Sequence, residues 1–386
     1  MVKTPIDPAA VAADPQVKQA TAANTIFGFR LLAHLNKGAS GKNVFFSPFS
    51  VSDALAMTLN GASGDTQQAI SKALGLHALS CDEINHANGL LLPSLENPDP
   101  QVELSVANAL WADEGMTFAP EFQRRCRRFY DATATSLDFH SPSAADTING
   151  WVRGKTQGKI DRLVSATDLV QSPAVLTNAV YFHGQWSRQF NKAATQDGPF
   201  TLEDGVKKTV PLMSEAGTYA YSETPQFQAV SLPYGSGRMS LYVFLPKPGT
   251  DLNALLNALD GKGWQDGISR MHPTLLTLVL PRFKAQYEAR LREPLTALGM
   301  GGAFGAGAYF RPMGLRHGFI GEVIHKAILE VDERGTVAAA ATGVVMRSLS
   351  IARPSEVMRV DHPFFCAIRD NATGTLLFVG TIRDPQ

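Results

Sequence analysis

The chain has 386 residues, 44% apolar and 18% charged, a composition that supports a large folded core and excludes a disordered or fibrous protein. Lysine plus arginine and aspartate plus glutamate number 35 each, so no global field draws the chain toward nucleic acid or an anionic membrane. No apolar run reaches the roughly 18 to 20 residues of a membrane span, the stretch from Pro173 to Phe182 being too short. The three cysteines Cys81, Cys126 and Cys366 lack CxxC or other metal-ligand spacing and read as free, buried thiols. The start, Met1-Val2-Lys3-Thr4-Pro5, has no apolar core or cleavage motif of a secretory leader. Localisation is therefore open between the cytoplasm and export with the leader already removed.

After a polar lead, residues 1 to 23, the spacing of Ile26, Phe27, Phe29, Leu31, Leu32 and Leu35 predicts a first helix over Asn24 to Leu35. Asn43 to Pro48 reads as a short buried strand, and Val51 to Leu59 as a helix broken by Gly61-Ala62-Ser63-Gly64-Asp65. The near-continuous apolar runs Leu104 to Trp111 and Val175 to Phe182 predict strands covered on both faces of a central sheet. Between them Ile148, Trp151, Val152, Ile160 and Leu163, after the capping candidate Ser143, predict a helix packed across that sheet. From Pro199 onward strands dominate. Phe364 to Arg369 and Thr375 to Ile382 form a hairpin around Asp370-Asn371-Ala372-Thr373-Gly374, whose turn chemistry also explains the glycosylation pattern at Asn371. No repeat or linker divides residues 24 to 386, which read as one domain.

Enzyme chemistry finds no support. There is no HExxH, GxSxG or P-loop, and Gly299-Met300-Gly301-Gly302-Ala303-Phe304 ends in phenylalanine where a dinucleotide fingerprint needs glycine. No cofactor or metal is called for. Arg124, Arg125, Arg127 and Arg128 form a basic cluster, read as a solvated helix face with Phe122, Phe129 and Tyr130 on the other side; a polyanion exosite there stays open.

The informative stretch runs from Glu330 to Ser350. Four alanines favour helix, Gly335 and Gly343 flank them, and Val344-Val345 favours strand, so the segment suits a change of state. Here the chain resembles the serpin family, in the hinge Glu333-Arg334-Gly335-Thr336 followed by Ala338, Ala339, Ala340 and Ala341, preceded by Val323-Ile324-His325-Lys326-Ala327. The blocks Asn43 to Ser50, Thr177 to Trp186, Leu232-Pro233-Tyr234, Leu280-Pro281-Arg282-Phe283, Leu298-Gly299-Met300 and Asp361-His362-Pro363-Phe364 match in the family's order.

The resemblance implies an α+β fold of three β-sheets and eight to nine helices, with a reactive-centre loop at about residues 334 to 359. It also implies a monomeric suicide substrate whose cleaved loop inserts into the main sheet with the protease attached as an acyl-enzyme. Ser47, Ser50, Asn178 and His325 would form a polar shutter beneath the opening sheet. Arg334 and Val337 depart from the family by standing where acidic residues are common, and the valine would favour loop-sheet polymerisation. Strand alternation puts Thr336, Ala338, Ala340, Thr342, Val344 and Met346 on one face, small or apolar throughout as burial requires. Seventeen residues counted from Glu333 end at Leu349. That makes Leu349-Ser350 the favoured reactive bond, for a chymotrypsin-like serine protease, with Arg347-Ser348 the alternative for a trypsin-like one. A non-inhibitory serpin is the remaining alternative.

Overall fold

The two longest apolar runs of the sequence become the middle of the main sheet, because strands covered on both faces need side chains that tolerate burial on both. The computed structural model describes residues 7–96, 98–170, 172–315, 318–336 and 356–385. In chain order its strands are β1 (Val44–Phe46), β2 (Val102–Asp113), β3 (Thr133–Leu137), β4 (Ala174–Gln185), β5 (Gln196–Thr201), β6 (Lys207–Glu223), β7 (Phe227–Tyr234) and β8 (Met239–Pro246). They continue as β9 (His272–Pro281), β10 (Phe283–Arg290), β11 (Glu322–Val331), β12 (Gly335–Thr336), β13 (Glu356–Arg359), β14 (Phe364–Asp370) and β15 (Leu376–Ile382).

The main sheet has the order β10-β11-β12-β4-β2-β3. β2 and β4 pair antiparallel from Val102 opposite Gly184 to Ala112 opposite Ala174. The remaining strands join in one network, β1-β15-β14-β8-β7-β6-β9-β13, with β5 on β6. β6, at 17 residues, pairs with β5 along its first part, with β9 along most of its length and with β7 at its end. One strand thus joins what the family description counts as two sheets. The predicted terminal hairpin is β14 and β15, closed by the Asp370–Gly374 turn.

Eleven α-helices lie among the described residues, the excess over eight or nine being short pieces such as α1 (Pro8–Ala13) and Arg292–Leu295. The next, α2 (Pro15–Asn36), begins upstream of the predicted Asn24 because Asp14 caps Val17 and Pro15 occupies the first helical position. Its buried face includes Thr21, Asn24 and Thr25, which interrupt the apolar period that sequence reading relies on. Helix α3 (Pro48–Leu59) starts at Pro48, capped by Ser47 Oγ on Ser50 N, and every one of its residues is buried. The helix Ala144–Lys155 lies across the main sheet as expected. Its Ile148 and Val152 share an apolar cluster with Trp111 of β2, Val175 of β4 and Ile324 of β11. Ile160 and Leu163 belong to that cluster from the connection after the helix, which Lys326 Nζ holds by donating to Arg162 O at 2.7 Å.

The β14–β15 turn is tied by charge. Asp370, fully buried, accepts from Arg238 Nε at 2.9 Å with one oxygen and from Thr373 N and Oγ1 with the other. Asn371 spends its amide on Tyr242, Gly237 and Ser240, so it serves the turn. Asp370→Ala strands a largely buried Arg238 and is expected to lower unfolding stability by about 3 kcal/mol, read from the urea midpoint.

Candidate functional site

The site is the seam between β4 and β11. These strands run parallel and pair directly from Glu322 opposite Val175 to Ile328 opposite Tyr181. Above that stretch β12 enters between them, antiparallel to both, with Thr336 opposite Gly184 on β4 and Val331 on β11. Gly335 has φ +148°, and a Cβ there would sit 2.0 Å from Gly184 O, so only glycine fits at the mouth of the seam. Thr336 is fully buried and its hydroxyl lies 2.8 Å from that of Tyr234.

The turn leading into β12 is fastened on several sides. Trp186, stacked on Tyr234 with centroids 4.4 Å apart, donates from its indole to Asp332 O and from its backbone to Arg334 O. Phe190 N donates to Glu333 O. The Glu333 carboxylate, 5% exposed, accepts from Arg282 Nε at 2.9 Å and from Thr195 Oγ1 at 2.5 Å. Burial opposes its ionisation, but Arg282 and Thr195 outweigh that and hold the carboxyl below its usual range.

Lower in the seam, Asn178 of β4 and His325 of β11 are opposite partners. His325 Nδ1 bonds Asn178 Oδ1, and His325 Nε2 lies 3.3 Å from Ser47 N, a group that can only donate. The ring is therefore the neutral Nδ1–H tautomer. Asn178 Nδ2 reaches Ser50 O, Ser50 Oγ and Asn108 Oδ1, and Asn108 Nδ2 donates to Asp53 Oδ2 at 2.7 Å. The four expected shutter residues Ser47, Ser50, Asn178 and His325 thus meet at one buried place. Arg282, Thr195, Asn108 and Asp53 complete these networks without having been singled out. The signal for Asn108 and Asp53 is weak, because β2 also holds Glu103 and Ser105 and α3 also holds Ser50, Ser52 and Thr58.

Of the expected hinge residues, Glu333, Gly335 and Thr336 stand at the head of the seam. Ala338, Ala339, Ala340, Ala341 and both candidate bonds, Leu349-Ser350 and Arg347-Ser348, lie outside the described residues. On the helix Pro120–Tyr130, Phe122, Cys126 and Tyr130 are buried. Arg124 and Arg125 pair with Glu121, Arg125 also with Asp82, and Arg128 lies 5.0 Å over the Phe129 ring. All three cysteines are free, Cys126 and Cys366 being buried and Cys81 partly so.

A mixed main sheet with the two-residue β12 set between β4 and β11 at its head, beside a second network of strands and eleven helices among the described residues, defines an α+β protein of the serpin fold class. The sequence model described as Serpin (serine protease inhibitor) matches residues 22–385, and the chain belongs to the serpin family. Bovine leukocyte elastase inhibitor is 35% identical over 382 residues, covering 96% of this chain and all of that one. Native tengpin, a thermophilic serpin, superposes with a TM-score of 0.87 at 30% identity over 96% of this chain and 95% of its own. Human thyroxine-binding globulin complexed with thyroxine gives 0.89 at 27% identity, covering 96% and 100%.

Two outcomes follow from the geometry. Glu333→Lys sets a second cation beside Arg282 and removes the Thr195 bond. It is expected to cost about 2 kcal/mol in urea unfolding, modest because Arg282 is partly exposed, with Glu333→Gln losing less. Burial holds the His325 imidazole down at about 3, against 6.5 in the open chain. The folded value lies below the unfolded one, so this contribution is complete above about pH 6.5 and is lost as pH falls toward about 3. Stability should therefore decline between about pH 7 and about pH 5, before most carboxylates titrate, and His325→Gln should flatten that slope.

Proposed function

We propose that the protein inhibits a serine protease as a suicide substrate. The protease serine attacks the carbonyl carbon of Leu349, the amine of Ser350 leaves with the proton, and Leu349 becomes the acyl group of an ester on the enzyme. The freed segment then fills the seam as a strand antiparallel to β4 and β11. Leucine in the apolar primary pocket gives chymotrypsin-like specificity, and the elastase named for the bovine relative supports a serine protease as partner.

The observation that carries this reading is β12 itself, which has the orientation and register of the missing strand. Extending that register downward sets Thr342 opposite both Asn178 and His325, and Met346 opposite Ala174, the first residue of β4. The inserted strand thus separates Asn178 from His325 and offers a threonine hydroxyl between them. Thr336 points inward, the parity that buries Ala338, Ala340, Thr342, Val344 and Met346. Leu349 then lies beyond the foot of β4, about 40 Å from the hinge at 3.3 Å per residue, with its enzyme attached. Roughly a dozen backbone hydrogen bonds at about 1 kcal/mol each give a driving force on the order of 10 kcal/mol, comparable to a domain's whole stability. The protein acts as a monomer in this scheme, and a second molecule's loop entering the same seam would give loop-sheet polymers.

Mixing with chymotrypsin is expected to give an SDS-resistant complex and a released fragment beginning at Ser350. A fragment beginning at Ser348 would move the reactive bond to Arg347. Nicking the loop should also raise the melting temperature; cleavage with neither complex nor stabilisation would identify a non-inhibitory serpin.

A further inference from the structure

Two buried polar side chains behind the shutter line the same small cavity. Asp53 of α3 is 1% exposed; its Oδ2 accepts from Asn108, while its Oδ1 has no partner among the described residues. Asn24 of α2 is 5% exposed, and neither atom of its amide has a partner among the described residues. Both line an internal cavity of about 10 Å³, together with Thr21, Ser52, Asn88 and Thr375.

The direction of the shutter bonds is set from its two ends. Ser47 N–H donates to His325 Nε2, His325 Nδ1–H to Asn178 Oδ1, Asn178 Nδ2 to Asn108 Oδ1, and Asn108 Nδ2 to Asp53 Oδ2. Each donor points the same way, and reversing either amide would set like groups against each other. Such a chain needs an acceptor at its end. We infer that Asp53 is that acceptor, a positioning residue whose Oδ2 holds Asn108 ready to receive Asn178, and whose Oδ1 binds, with Asn24, one water molecule.

A single water satisfies all three unpaired atoms, donating to Asp53 Oδ1 and Asn24 Oδ1 and accepting from Asn24 Nδ2. Three bonds and a space of about 10 Å³ are what one buried water uses. Burial pushes the Asp53 carboxyl well above its usual range, against the bond from Asn108. A proton taken up goes to Oδ1, where the water turns to accept it and the Asn108 bond survives. The inference rests on loop insertion through the seam: without Asp53, Asn108 has an unpaired donor in the closed sheet, and opening becomes easier.

The test heats wild-type protein, Asp53→Leu and Asp53→Asn, and follows the loss of monomer, with melting of uncleaved and loop-cleaved forms in parallel. Asp53→Leu is expected to convert on the order of tenfold faster and to melt lower only when uncleaved. Asp53→Asn, whose amide oxygen still accepts from Asn108, should stay within about twofold of wild type. Equal losses in uncleaved and cleaved Asp53→Leu, or an Asp53→Asn as fast as the leucine variant, would overturn the assignment. Should Asp53→Leu not fold, a high-resolution crystal structure of the wild type decides: ordered solvent touching Asp53 Oδ1 and Asn24 supports it, and a dry cavity rejects it. Failure of loop cleavage to stabilise the wild type would instead sink the insertion reading, and the crystal structure would still judge the water site.

Discussion

One ladder governs this molecule, the parallel contact between β4 and β11. Parallel pairing is slightly weaker per residue than antiparallel pairing. Here it occupies the middle of a sheet whose neighbouring pairs, β2 with β4 and β10 with β11, are antiparallel. A strand entering between β4 and β11 in the direction set by β12 exchanges one parallel interface for two antiparallel ones. In the proposed insertion, the closed sheet would be the weaker of two arrangements, given up once the chain is cut where it would otherwise hold the new strand back.

What keeps the sheet closed is polar and localised. At the head, the buried Glu333 carboxylate is held by the partly exposed Arg282 and by Thr195. At mid-height, a neutral histidine bridges the seam to Asn178, with its other nitrogen on the capped start of α3. Apolar packing above and below the sheet resists separation without direction. These hydrogen bonds instead break at one distance, and in the proposed insertion those of the incoming strand would replace them, so they would serve as latches.

Much of this was legible in the sequence. The two doubly covered strands, the helix across them and the terminal hairpin followed from apolar runs and turn residues, because those features depend on neighbours close in the chain. The shutter quartet followed from family likeness; its members lie in segments up to 278 positions apart, which no local pattern connects. Asp53 and Asn108 carry no motif of their own, and no local pattern names a partner 55 residues away. The start of α2 was misplaced for a related reason: its buried face carries Thr21, Asn24 and Thr25, where an amphipathic stripe should be greasy.

The helix Ala144–Lys155 spans the seam, resting on β2, β4 and β11 together, and Lys326 ties down the connection that follows it. It behaves as a strap over a zip. In the proposed insertion, a segment entering from the head of the seam would meet this strap near mid-height and would have to lift it to continue. On that proposal the strap would divide the stroke in two, with a partial excursion open to withdrawal and passage beneath a resettled strap one-way.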